Sequence, residues 1–353
     1  MNRCMEKINE MKDNKIALII CWFGILPQYF PAWVKSCEVN KKFDFLLFTD
    51  CMCNIELPSN IKVIPITFSE IKKRIQEAMQ QNISLQEPYR ICDFRPMFGL
   101  IFKQYLNEYN FWGHCDIDII FGKLDDFINQ EILDNVDILF NGGHFSLYRN
   151  TLTINTLYEK QGALFDYKKV IKNHAVYAFD ETTGIQRISR KNNVRAQFGI
   201  PYIETESKYH QLRSRLDRNN PEEQLFYWEN GELFRTKKEG NGDFYQKLAY
   251  IHLQKRKLTL KIDNIQDVHS FWITPDGFVN KTFIGKPDLK DYDLYNHNDG
   301  QKKREEEEQE YKKRKILDIL KRKPYQIYVR VRQQAAGINK NDGSREDRRW
   351  EKY

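Results

Sequence analysis

The stretch "WGHCDIDIIFG", residues 112–122, sets two carboxylates into an apolar run. Asp116 and Asp118 lie among Cys115, Ile117, Ile119, Ile120 and Phe121, side chains that belong in an interior. Burying an unpaired carboxylate costs several kcal/mol or more. Read as a strand, positions i and i+2 face one side, so both aspartates aim at one point with Ile117 at the core behind. Adjacent carboxylates repel unless a proton or a cation sits between them. A capping role for one and a lysine partner for the other would serve most D-x-D tripeptides. Here the pair ends an apolar strand beside Gly122, and that context favours a divalent metal.

Working outward, "KIALIICWFG" (15–24) is a continuous apolar run, as expected of a parallel strand buried on both faces. "FDFLLFTD" (43–50) and "IKVIPIT" (61–67) give two more strands, with a helix over "QYFPAWVKSCEV" between the first and second. "FSEIKKRIQEAM" places Phe68, Ile71, Ile75 and Met79 on one helical stripe, with Thr67 or Ser69 as cap. This β-α-β-β-α order predicts an α/β fold with a mostly parallel sheet. "YRICDFRPMFGLIFKQYLNEY" reads as a loop and then a helix entered through Pro96. "NVDILFNGGHFSLYRN" gives two strands around a Gly-Gly turn, followed by helical "NTLYEKQGALFDYKKVIKN" and "GIQRISRKN". Residues 200–247 contain hairpin pieces, "KLAYIHLQKRKLTLKI" returns to strand, and "FWITPDGFVN" is a hairpin with a Pro-Asp-Gly turn.

The chain has 353 residues and a net charge of +7, all of it in the last 53 residues, where 17 Lys and Arg face 10 Asp and Glu. Residues 1–300 are neutral, which argues against a nucleic-acid-binding body. No apolar run approaches the roughly 18–20 residues of a membrane span, and the N-terminus lacks a signal peptide's apolar centre. Seven cysteines without framework spacing predict reduced thiols and a cytoplasmic protein. The expected organisation is a catalytic domain over 1–290 and a charged, helical or disordered tail over 291–353.

The ordered set "CDFRP", "WGHCDIDIIFG", "NGGHFSLYRN", "FDETTGI" and "YIHLQKRK" resembles the GT-A glycosyltransferases. More narrowly it is similar to a bacterial family of polysaccharide-biosynthesis transferases, over roughly residues 15–285. The resemblance implies a GT-A-like, Rossmann-type mixed sheet flanked by helices. It also implies that Asp116 and Asp118 hold Mn²⁺ or Mg²⁺ on the diphosphate of a nucleotide-sugar, with a UDP-linked donor expected. His252 matches the late-chain histidine that completes such metal shells, and a histidine beside two carboxylates suits Mn²⁺ better than Ca²⁺. Lys255 and Arg256 follow as candidates for phosphate oxygens, against the plainer reading of a solvated basic face. Asp93 and Arg95 resemble an Asp-x-x-Arg donor-site element one residue shorter; equally, Asp93 could cap a helix and Arg95 form an ion pair. Asp50 is a donor-side candidate for a ribose or base, or an ordinary turn aspartate.

Asp180 and Glu181 precede an expected helix, where the resemblance implies the acceptor side; an inverting transferase needs a carboxylate base there. The competing reading is two acids stabilised by a helix dipole. Asn141, Gly142 and Gly143 end a strand where small residues admit a sugar ring, and His144 lines the same site or simply packs. In the tail, residues 312–332 hold nine Lys and Arg against one acid, interleaved with Ile and Leu, which suits an anionic membrane surface.

The expected function is a metal-dependent glycosyltransferase acting on a glycan or lipid-linked acceptor in surface polysaccharide synthesis, at the inner face of the membrane. Two other classes compete: a phosphohydrolase with Asp116 as nucleophile and Asp118 as acid, and a non-catalytic membrane scaffold. The first would carry its D-x-D after the first strand, not a later one.

Overall fold

The computed structural model of the protein describes residues 14–217, 223–239, 242–254, 256–295, 300–320 and 324–336. The fold is a mixed α/β one. Its largest sheet uses β1 (Ile16–Trp22), β2 (Phe43–Thr49), β3 (Ile61–Pro65) and β4 (Phe111–Cys115), all parallel. β5 (Ile119–Phe121) leaves this sheet, while β6 (Ile138–Phe140), β7 (Phe145–Arg149) and β8 (Ala196–Phe198) complete it in the order β3-β2-β1-β4-β7-β6-β8. β7 is the one strand antiparallel to its neighbours on both sides.

The apolar runs follow from double-sided burial. In β1, Ile16, Leu18 and Ile20 enter one core with Phe45, Leu47 and Trp33, while Ala17 and Ile19 enter the other with Leu46, Phe48 and Trp112. Helix α1 (Phe30–Glu38) covers the first core through Phe30, Trp33 and Val34. Helix α2 (Phe68–Met79) covers the second through Ile71, Ile75 and Met79. Thr67 caps α2 in a reciprocal box with Glu70: the Thr67 Oγ1 accepts from the Glu70 N–H, and the Glu70 carboxylate accepts from the Thr67 N–H.

A three-stranded sheet joins β5, β9 (Tyr202–Glu204) and the late strand β13 (Tyr250–His252) in the order β5-β13-β9. A third sheet takes β10 (Gln224–Glu229), β11 (Glu232–Glu239) and β12 (Gly242–Leu248), and beyond β13 it adds β14 (Thr259–Lys261), β15 (Ser270–Thr274) and β16 (Gly277–Asn280). It is tied to the rest through Trp228, whose indole N–H donates to the Phe121 carbonyl at 3.1 Å. The six described cysteines are free thiols, and no described helix is long and apolar enough to cross a membrane.

Several sequence expectations change. The helix expected after Pro96 is broken: residues Pro88–Met97 form a 3₁₀ stretch around Pro96, followed by the single turn Phe98–Ile101. Proline lacks the N–H that an interior α-helical position donates. The helix expected over 155–173 breaks likewise: after the turn Leu152–Asn155 it forms only the short pieces Leu157–Glu159 and Tyr167–Ile171. The strand expected through "YIHLQKRK" ends at His252. Packing also does not stop at residue 290. Tyr292 is buried and donates to Thr236 Oγ1 at 2.8 Å, and Val329, in the helix Pro324–Ala335, is buried in the core shared with α2.

Candidate metal centre

In the large sheet, β1 has β2 on one side and β4 on the other, so chain order reverses between β1 and β4. The crevice outside the carboxyl ends of strands at such a reversal is where open α/β sheets bind ligands. Asp116 and Asp118 sit at that end, directly after β4.

The pair is not in a strand, as the spacing predicted, but in the turn joining β4 to β5. The Asp116 N–H donates to the His144 carbonyl at 2.9 Å, extending the β4–β7 ladder by one bond. The chain then bends, and β5 pairs instead with β13. In that register His252 stands opposite Ile119, and the Leu253 N–H donates to the Asp118 carbonyl at 2.8 Å. Pairing between segments more than 130 residues apart in sequence thus sets His252 beside the aspartates.

Asp116 divides its oxygens. Oδ1 accepts from Arg95, while Oδ2 stands 3.9 Å from His252 Nε2. Asp118 Oδ1 is 3.3 Å from the same nitrogen. Burial pulls the His252 pKa down, but Asp118, Asp116 and Glu204 prevail and raise it to about 9. Its Nδ1 is buried with no hydrogen-bond partner. Two carboxylates and an imidazole, each offering an atom within 4.8 Å of the others, fit a divalent cation. Metal bonds of roughly 2.1 Å separate neighbouring ligand atoms by about 3–3.5 Å. His252 also stacks on His144, with ring centroids 4.2 Å apart. Burial, followed by the His252 charge, holds the His144 pKa well below its usual value, so the neighbour is neutral.

Arg95 is the hub on the opposite side. Its guanidinium donates to Asp116, to the Gly143 carbonyl and, at 3.2 Å, to Asp180 Oδ2. Gly143 O also takes His114 Nε2 at 3.1 Å. Burial and the Arg95 charge push the His114 pKa well down, which fixes a neutral ring donating from Nε2. Asp180 is buried; burial pushes its pKa well up, Arg95 opposes, and Glu181, Asp93 and Asp116 add to the rise. Glu181 is only half-buried and lies over Gly143: a Cβ there would stand 2.0 Å from the Glu181 Oε1. A side chain at position 143 would have to displace the Glu181 carboxylate; the Gly-Gly reading expected a sugar ring here, and the group over the glycine in this structure is Glu181.

The remaining candidates stand around these groups. Asp93 is fully buried, paired with Arg90, and accepts from the Tyr177 and Phe179 N–H groups at 2.8 and 2.7 Å. Its described contacts make it the pin of the Asp180 turn, with no surface left for a donor. Arg256 is likewise buried, its guanidinium donating to the carbonyls of Glu206, Tyr209, His210 and Gln211. It shapes the loop after β9 rather than facing phosphate, because a buried guanidinium is stabilised by converging carbonyls. Lys255 lies outside the described residues. Asn141 is buried, accepting from the Ile200 N–H at 2.9 Å and pairing with the Tyr250 hydroxyl, which also meets His144 Nε2 at 2.9 Å. Gly142 turns the chain at φ +75°, where glycine is favoured. Asp50, exposed at the end of β2, accepts from the Gly24 N–H at 3.0 Å and so steadies the loop after β1.

Two residues missed in the sequence belong here. Tyr29, the residue before α1, has its phenol pKa pushed up by burial and then by Asp118 and Asp116. Tyr89 is 58% exposed and within electrostatic reach of Asp180, Glu181 and Asp116, so it stands at the mouth of the site. Neither carries a local sequence signal, since tyrosine is common and both positions are defined only by folding.

No curated protein matches the chain. The profile of a family described as a family of unknown function (DUF6625) matches residues 18–282, a span holding most of β1, the Asp116–Asp118 turn, Asp180, Glu181 and His252. The chain belongs to that family.

Proposed function

We propose that the protein is a metal-dependent glycosyltransferase of GT-A-like fold that uses a nucleotide-sugar, UDP-linked, and a glycan or lipid-linked glycan acceptor. The observation that carries the reading is the convergence of Asp116, Asp118 and His252 at the carboxyl end of β4, beside the chain reversal. Asp116 Oδ2, Asp118 Oδ1 and His252 Nε2 would hold Mn²⁺ or Mg²⁺. Bound there, the metal would neutralise the leaving diphosphate.

The chain's own groups divide the remaining work. Arg95 orients Asp116 from behind, leaving Oδ2 toward the cation position. Asp180, buried and held by Arg95, positions the turn; Glu181, the more exposed of the two acids, is the group placed to take the acceptor hydroxyl proton. Tyr89 offers an apolar ring at the rim for a sugar face. A phosphohydrolase is less well supported. Its nucleophile would be Asp116, the oxygen pair of which is shared between Arg95 and the His252 side.

Titration calorimetry tests the proposal. UDP should bind in Mn²⁺ and lose that affinity in excess chelator; equal affinity in both would rule out the diphosphate bridge. The proton balance gives a second expectation. A His252 pKa of about 9 means that Mn²⁺ must displace a proton at neutral pH. Apparent Mn²⁺ affinity should therefore rise about tenfold per pH unit and level off near pH 9, with close to one proton released at pH 7. Heats measured in two buffers of different ionisation enthalpy count that proton. A flat profile between pH 7 and 9 would show that no protonated ligand gives up its proton to Mn²⁺ in that range.

A further inference from the structure

The helix Pro324–Ala335 is held to the body at two points. Val329 is 3% exposed in the core shared with α2, and the Gln333 side-chain N–H donates to the Tyr177 carbonyl at 3.1 Å. Positions two residues away on a helix lie on the opposite side. Accordingly Ile327 and Val331 are 51% and 55% exposed, with Tyr328 beside them at 53%. A stripe at i, i+1 and i+4 is one continuous apolar face, and it is turned away from the protein. Arg330 and Arg332 flank it, Arg332 exposed and Arg330 half-buried. Lys321, Arg322 and Lys323 precede it in sequence, outside the described residues.

The segment that ends on Tyr177, where Gln333 is received, shares this character. Segment 167–177 exposes Lys168, Lys169 and Lys172. Val176, one residue before the carbonyl that receives Gln333, is 40% exposed. Exposed aliphatic and aromatic side chains ringed by cations are the composition of an interfacial helix, and they complement an anionic bilayer rather than an apolar protein groove. A second copy of this chain would bring like charge to like.

We propose that the helix Pro324–Ala335, together with segment 167–177, is a docking face for an anionic lipid bilayer. Ile327, Tyr328 and Val331 would enter the headgroup layer while the flanking Arg and Lys side chains meet lipid phosphates. The face has a fixed relation to the candidate site. Tyr177, which receives Gln333, is itself held through its N–H by Asp93, and Asp93 also holds Phe179, next to Asp180. Docking there would set the acceptor-side acids at a defined height over the membrane, where a lipid-linked glycan is presented. That last step rests on the proposed transferase function; the membrane contact does not.

Flotation of the full chain with liposomes tests it. The protein should float with vesicles containing phosphatidylglycerol, stay behind with pure phosphatidylcholine, and be released as salt rises. Ile327→Glu with Val331→Glu should cut the bound fraction about tenfold, and Arg330→Gln with Arg332→Gln should weaken binding and its salt dependence. Ile327 and Val331 are on the outer side of the helix and Arg330 and Arg332 on its flanks, none of them in the core, so melting temperature and UDP affinity should not change. Variants that float like the wild type would overturn the proposal, as would equal binding to neutral vesicles. So would a wild-type dimer that the Ile327→Glu, Val331→Glu variant dissociates without any vesicle binding. Because flotation needs no nucleotide, a chain that floats but shows no Mn²⁺-dependent UDP binding would keep this docking face and remove the transferase reading instead.

Discussion

Asp118→Asn should reduce Mn²⁺-dependent UDP affinity by about 100-fold or more, to the level seen with chelator. Even changing a group that only hydrogen-bonds to a metal's ligand costs roughly 10–100-fold in metal affinity. The substitution keeps the shape of the side chain and removes one charge from the donor set. It also removes the nearer of the two aspartate charges that raise the His252 pKa, because Asp118 Oδ1 is 3.3 Å from Nε2 and Asp116 Oδ2 is 3.9 Å away. The imidazole should then be neutral at lower pH, so the variant should release less than one proton when Mn²⁺ binds at pH 7. Calorimetry reads both effects, and a melting curve shows whether the fold survives. Unchanged UDP affinity in Mn²⁺ would remove Asp118 from the metal shell.

Arg95→Met should be the most damaging single change at the site, because one guanidinium serves three acceptors there. Without it Asp180 remains buried beside Glu181, Asp93 and Asp116, with no cation of its own. Breaking a buried ion pair by removing one partner typically costs about 3–5 kcal/mol. For a chain of 353 residues that is a fall in melting temperature of about 4–7 °C. Arg95→Lys should recover part of the stability, since an ammonium keeps the charge but cannot fork to three oxygens. Its transfer rate should still fall about 100-fold, the scale expected when reacting groups are misplaced by an ångström. UDP affinity in Arg95→Lys should stay within a few fold, because Asp116 Oδ2 and Asp118 remain. A lysine variant with full transfer activity would reduce Arg95 to a structural ion pair.

Docking of the last described helix also alters how a truncation reads. Ending the chain near Gly300 would remove Val329 from the core shared with α2 and Gln333 from the Tyr177 carbonyl. Lost vesicle binding in such a chain would therefore be mixed with lost packing, whereas the surface variants separate the two.

The sequence by itself determined the elements whose burial is local and periodic. Continuous apolar runs can be satisfied only with both faces covered, and so Ile16–Trp22 and Phe43–Thr49 were legible as parallel strands. The stripe Ile71, Ile75 and Met79 with the Thr67 box gave α2 because capping and helical period act within a few residues. The Asp116–Asp118 pair was legible as a site because two charges in an apolar run demand a partner. What the sequence left open was settled by pairing across long separations. Only the β5–β13 register sets His252 against the two aspartates, and it does so from a turn rather than a strand. Only tertiary packing decided which cation serves the site: Arg95 reaches it, while Arg256 is drawn into the 206–211 carbonyls. Asp93 and Asp180 look alike in sequence, yet one pins a turn through two backbone N–H groups and the other meets Arg95. Charge and spacing cannot separate such roles, because hydrogen bonding is directional and its partners here lie some 80 residues away in the chain.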